Sequence, residues 1–128
     1  MAARKKTSPE MAAKILALVE ESLEEDQAND VIVIPLAGKT DIAEFMVVAS
    51  GRSARHVDAS TDHLLTKLKN AGVRGVRSEG REIKDWVLID AGHVIVNLFR
   101  PEVRAYYDLE KLWESGPVEG NLNEVSTV

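Results

Sequence analysis

Few side chains in this sequence could do chemistry, and their spacing is wrong for a catalytic centre. His56 and His63 lie seven positions apart in a segment of helical pattern, with Asp58 and Asp62 between them. Both imidazoles then fall on one side of the helix, about two turns apart. Paired metal ligands on a helix are three or four positions apart, so this group reads as a solvated face. His93 follows Asp90 and reads as its ion-pair partner or as a residue exposed at a turn. Gly38-Lys39-Thr40 has the ending of a phosphate-binding loop. That motif needs glycine at position 33, where Val33 stands, and a helix directly after it, where a strand pattern follows. It reads as a polar loop.

Ser50-Gly51-Arg52-Ser53 lies between a strand pattern and a helix pattern, where backbone N–H groups can hold an anion. The plainer reading is a tight turn, with Gly51 supplying backbone freedom and Ser53 capping the helix. Asp85 and Asp90 are five apart in a strand pattern, so they point to opposite faces and cannot hold one metal together. No serine, histidine and acid set stands out by spacing. Cysteine is absent, which excludes disulfides and thiolate metal sites. These readings assign no catalytic residue, no metal and no cofactor.

The aromatic residues gather in one stretch. Asp85 to Trp113 holds both tryptophans, both tyrosines and one of the two phenylalanines. Trp86 is either a core aromatic or a partly exposed anchor of the kind enriched at binding hot spots. Trp113 carries the same pair of readings.

The elements that must position these residues follow from pattern. Residues 1–7 read as a loose tail. Ser8-Pro9-Glu10 reads as a helix start, with Ser8 as N-cap, and Ala12, Ile15, Leu16, Val19 and Leu23 form one apolar stripe. Val31 to Ile34 is apolar at every position, which predicts a strand buried on both faces and ended by Pro35. Phe45 to Ala49 is a second strand. A helix follows with Val57, Thr61, Leu64, Leu65, Leu68 and Ala71 buried, and Gly72 supplies a left-handed end. Val73 to Ser78 reads as a short edge strand, completing a crossover from the Phe45 strand.

Asp85 to Asp90 and His93 to Phe99 then form a hairpin about Ala91-Gly92. With Asp90 opposite His93, one side carries Val87, Ile89, Val94, Val96 and Leu98 and must face the core. The other carries Trp86, Leu88, Asp90, His93, Ile95 and Asn97 and is mixed. Pro101 starts a short helix with Val103, Tyr106 and Tyr107 on one face, and Leu109, Leu112 and Trp113 continue the stripe. The whole is an α/β single domain over residues 8–113, a mixed five-stranded sheet with flanking helices, followed by a tail at 114–128.

Composition narrows the function. A net charge of −5 and a pI near 5.2 argue against binding nucleic acid by charge alone and suit a basic protein partner. The N-terminus has no apolar stretch behind its basic residues, so it does not read as a secretory signal. No run approaches the roughly 20 apolar residues of a membrane span. The expectation is a cytoplasmic protein.

Four blocks together resemble one family. They are SGRSARHV at Ser50 to Val57, Glu79-Gly80, DWVLIDAGHVIVNLF at Asp85 to Phe99, and RPEVRAYYDLEKLW at Arg100 to Trp113. The combination is similar to the Iojap-like family of bacterial ribosomal silencing factors, over roughly Ala12 to Trp113. The resemblance implies a nucleotidyltransferase-like domain without catalysis. It further implies binding to the large ribosomal subunit through ribosomal protein fourteen of that subunit. Such binding blocks joining of the small subunit and silences translation when nutrients are scarce. Some members pair as homodimers when free, and organellar relatives act in ribosome assembly. No membrane and no sequence-specific nucleic-acid contact is implied.

Carried onto this chain, the family motif falls on Ser50, Gly51, Ser53, Arg55, His56, Glu79, Gly80 and Gly92. The expected partner-binding residues are Trp86, Leu88, Asp90, Ile95, Glu102, Arg104, Tyr107, Leu109, Glu110 and Trp113, with the acids, Asp85 among them, meeting basic groups. The chain departs from the family pattern at Arg52, His93 and Asn97. The alternatives are a ribosome-assembly factor and a nucleotidyltransferase-like enzyme. The latter needs paired carboxylates after the Gly51 turn, and no such pair follows.

Overall fold

A computed structural model of the chain describes residues 9–109 and residue 111. The elements run α1 (Pro9–Glu25), β1 (Asn29–Pro35), β2 (Phe45–Ser50), α2 (Ala54–Asn70), β3 (Arg77–Glu79), β4 (Trp86–Asp90), β5 (Val94–Phe99) and α3 (Pro101–Tyr107). This is the element order expected from pattern. Ser8, Glu110, Leu112, Trp113 and both tails lie outside the described residues.

The sheet order is β1-β2-β5-β4-β3. β2 pairs antiparallel with β1 and parallel with β5, and β4 pairs antiparallel with β5 and β3. β2 is almost wholly buried because both its faces are covered. On one face α1 and α2 bring Ile15, Val19, Leu23, Val57, Leu64 and Leu68 onto Val47, Val87, Ile89 and Val96. On the other, Leu36 and Ala43 from the 36–44 loop and Val103 of α3 pack with Ile34, Met46, Val48, Ile95 and Phe99.

Several expectations need correction. β1 is an edge strand, not one buried on both faces, and Val31 is 37% exposed. Its first half bends away: Asp30 has φ 52° and the register shifts between Asn29 and Ile32. Pro35 lies within β1 rather than after it, which an edge tolerates because its missing N–H breaks no ladder. β3 covers only Arg77–Glu79 and runs parallel to β2 without touching it, since β5 and β4 lie between them. In α2, Leu65 is half-buried and Ala71 is exposed, while Ser60 is buried.

The hairpin turns one residue further along than expected, which shifts the pairing register by two. Asp90 pairs with Ile95, and the turn centres on Gly92, whose φ is 85°. Ala91 N–H donates to the Val94 carbonyl and His93 N–H to the Ala91 carbonyl, each at 3.0 Å. A shift of two preserves the alternation, so Val87, Ile89, Val94, Val96 and Leu98 do face the core. The mixed side is not open, however. α3 and the 36–44 loop make it a second core, in which Ile95 is 8% and Asn97 1% exposed.

Candidate functional site

The exposed part of that second core is an aromatic patch built from three elements. Trp86 opens β4, opposite Phe99 in the ladder. Its ring centroid lies 4.9 Å from that of Phe99 and 4.9 Å from that of Tyr107. Its Nε1–H donates to Asn97 Oδ1 at 2.8 Å, so the indole is fixed in orientation as well as position. Tyr107 ends α3 and meets Tyr106 edge-on at 5.1 Å. Tyr106 and Tyr107 are 81% and 52% exposed.

Local sequence explains why the patch forms. Pro101 starts α3, and Asp108 stops it in the left-handed conformation, donating its N–H to the Arg104 carbonyl. Arg104 faces inward and its Nη1 donates to Ser50 Oγ at 2.9 Å, which locks α3 to the end of β2. Gly80 carries φ 89°, and a Cβ there would lie 2.2 Å from the Trp86 carbonyl oxygen. Only glycine therefore lets the 80–85 loop lie against the start of β4. Arg81 ties the same loop to α2 through Asp58 at 3.0 Å and Asp62 at 2.8 Å. Those two hydrogen bonds, Asp58 first, raise the Arg81 pKa above its ordinary value.

Between loop and helix runs a groove of ≈ 410 Å³, lined by Ile83, Asp85, Trp86, Glu102, Val103 and the two tyrosines, with Gly80 at its end. Its acids are partly neutralised. Arg100 reaches Asp85 at 2.9 Å and Glu102 at 3.4 Å. This is a surface that can receive a partner's apolar side chains. Among the described residues no group of three His, Cys, Asp or Glu could hold a metal ion, and no helix is long and apolar enough to cross a membrane.

The expected binding residues therefore separate. Trp86, Glu102 and Tyr107 line the groove together. Leu88 and Leu109 are half-buried against the second core. Ile95 and Arg104 are buried, because α3 and the 36–44 loop fold over the strand face that sequence left uncovered. Asp90 accepts the Gly92 N–H at 2.8 Å and so shapes the hairpin turn. His93 is neither exposed nor paired with Asp90. It is 7% exposed, and its Nδ1 lies 3.2 Å from Glu44 Oε1. Ile83 and Tyr106 are not among the expected binding residues; both are exposed, Ile83 at 72%, and both line the groove.

The motif around Gly51 is a structural joint. Gly51 has no positive φ, so backbone freedom does not explain it; a Cβ would lie 2.8 Å from Val57 Cγ2. Ser53 Oγ caps α2 by accepting the His56 N–H. His56 is half-buried, not solvated. Its Nδ1 accepts the Arg52 N–H at 2.8 Å, so Nε2 carries the proton and donates to the Asp26 carbonyl at 2.7 Å. His63 meets the Asp26 carboxylate at 2.9 Å. Arg55 is exposed.

A family profile described as "Ribosomal silencing factor during starvation" matches residues 5–127. The chain belongs to the ribosomal silencing factor family. A silencing factor of Zymomonas mobilis is 50% identical over 108 residues, covering 84% of this chain and 79% of that one. The crystal structure of a Chromobacterium violaceum protein superposes with a TM-score of 0.77 at 42% identity, covering 80% of this chain and 85% of the other. A more distant mouse relative, named for mitochondrial assembly of the ribosomal large subunit, is 31% identical over 81% of this chain and 47% of its own length. The family is regulatory rather than known for catalysis, and its names tie it to the ribosome.

Proposed function

We propose that this chain binds the large ribosomal subunit, through ribosomal protein fourteen of that subunit, and blocks the small subunit from joining. The observation that carries this reading is the aromatic groove: Trp86 held between the tilted rings of Phe99 and Tyr107, with Ile83 and Tyr106 exposed at its edges. A fixed indole beside partly exposed tyrosines has the composition of a binding hot spot. The protein's net charge of −5 suits a basic partner, and Glu102 stands on the rim to meet it. The mechanism is occupation of space, so it needs no catalytic group.

The mouse relative's name favours a second reading, a role in assembling the large subunit. Co-sedimentation with separated subunits, followed by subunit-joining profiles, tests both. Silencing predicts binding to the large subunit alone and a dose-dependent fall in joined ribosomes. Large-subunit binding without any effect on joining would favour assembly. No binding to the large subunit would overturn both.

A further inference from the structure

A second cavity lies on the other face of the sheet, at the end of the hairpin away from Trp86. It has a volume of ≈ 500 Å³ and opens between α1, the end of α2 and the β4–β5 turn. That size is within the range of small-ligand sites. Its wall is apolar, with Ile15 and Leu18 of α1, Val73 just after α2, and Ala91 before the turn. Its charged lining residues are Lys14 and Arg74, and no aspartate or glutamate lines it. In a chain of net charge −5 this is a local reversal of sign. Neither Lys14 nor Arg74 makes an ion pair among the described residues.

Most backbone N–H groups of the turn segments around the cavity are already taken. Gly72 N–H donates to the Lys69 carbonyl and Val73 N–H to the Leu68 carbonyl, each at 3.0 Å. Gly92 N–H is taken by Asp90, and the Ala91 and His93 N–H groups close the turn. A ligand's polar end is therefore left with the Lys14 and Arg74 side chains and the His93 imidazole, whose Nδ1 lies 3.2 Å from Glu44 Oε1. The bonds from Gly72 and Val73, with that from Ala71 to the Lys67 carbonyl, also occupy carbonyls at the end of α2. They reduce the negative pole that a free helix terminus would present to an anion.

We infer that this cavity binds a small amphipathic carboxylate, its hydrocarbon against Ile15, Leu18, Val73 and Ala91 and its head group at Lys14 and Arg74. The chemistry of the lining selects the class. An apolar wall favours a hydrocarbon body, and two cations that make no ion pair among the described residues, with no aspartate or glutamate in the lining, favour a single anionic head. The ligand sits across the sheet from the aromatic groove and does not touch it.

The test is titration of the full chain with decanoate below its micelle-forming concentration, followed by amide NMR shifts. Decanol and decyltrimethylammonium are the controls. Saturable shifts at Val73, Arg74, Ala91 and Gly92 are expected, with decanoate binding about tenfold more tightly than decyltrimethylammonium. Lys14→Glu combined with Arg74→Glu should weaken decanoate by about tenfold. Both side chains are exposed, and circular dichroism checks that the variant stays folded. Equal affinity for the cationic analogue overturns the assignment. So do shifts confined to the Trp86 and Tyr107 groove, unchanged binding by the folded double variant, or no saturation.

Discussion

Arg104 Nη1 donates to Ser50 Oγ over 2.9 Å, a buried contact between residues 54 positions apart. It joins the last turn of α3 to the end of β2, and so sets where Tyr107 meets Trp86. Ser50→Ala removes the acceptor and leaves a buried guanidinium less satisfied. The expected loss is about 1–3 kcal/mol in urea unfolding. Large-subunit affinity should fall as well, although Ser50 is itself only 3% exposed. Unchanged stability in Ser50→Ala would show that the contact contributes nothing.

Tyr107→Ala and Ile83→Ala test the groove with little disturbance of the fold, because both side chains are more than half exposed. At least one should weaken large-subunit binding by about 2 kcal/mol, roughly thirtyfold, in co-sedimentation. Full binding by both variants would move the docking surface elsewhere.

Trp86→Phe separates packing from hydrogen bonding. The ring contacts with Phe99 and Tyr107 are partly kept, while Asn97 Oδ1 loses its donor inside the second core. Asn97 Nδ2 is already buried without a partner among the described residues, so the amide would be left with neither bond. A loss of about 1–3 kcal/mol is expected in thermal or urea melts. A neutral outcome would mean that Asn97 turns to find other partners.

Gly80→Ala and Gly38→Ala form a matched pair. Both positions have positive φ, but a Cβ at Gly80 would meet the Trp86 carbonyl, whereas nothing lies within 4 Å at Gly38. Gly38→Ala should cost about 1 kcal/mol from backbone strain. Gly80→Ala should cost clearly more and shift the Trp86 indole resonance. Equal melting temperatures for the two variants would remove the steric argument.

Ser60→Ala should be neutral or stabilising. Ser60 is buried in α2, 2% exposed, and its Oγ has no hydrogen-bond partner among the described residues. Removing an unsatisfied hydroxyl relieves its desolvation cost, and alanine is the better helix former. A drop in melting temperature above a few degrees would indicate that the hydroxyl is bonded in solution.

How far the fold was legible depended on which physical rule governed each segment. Helix ends were legible because caps are local: Ser53 accepts the His56 N–H, and Gly72 takes φ 85° just after α2. Strand burial was not. Val31 to Ile34 has the residues of a central strand, yet its outer edge has no strand neighbour among the described residues. The site was legible as an aromatic cluster around Trp86 but not as a shape. Arg104 had the signature of a docking cation, and only the return of α3 onto β2 turned it inward.

The sequence by itself determined the element order, the two faces of the hairpin and the family. Alternation with a period of two assigns Val87, Ile89, Val94, Val96 and Leu98 to one side even when the register moves by two. Only the tertiary structure decided what covers the opposite side. Periodicity gives the direction of a side chain but not the element it meets, because that contact is made by residues distant in the chain. Here α3 and the 36–44 loop bury Ile95, Asn97 and Phe99, leaving the Trp86–Tyr107 edge, with Ile83 and Tyr106, at the surface.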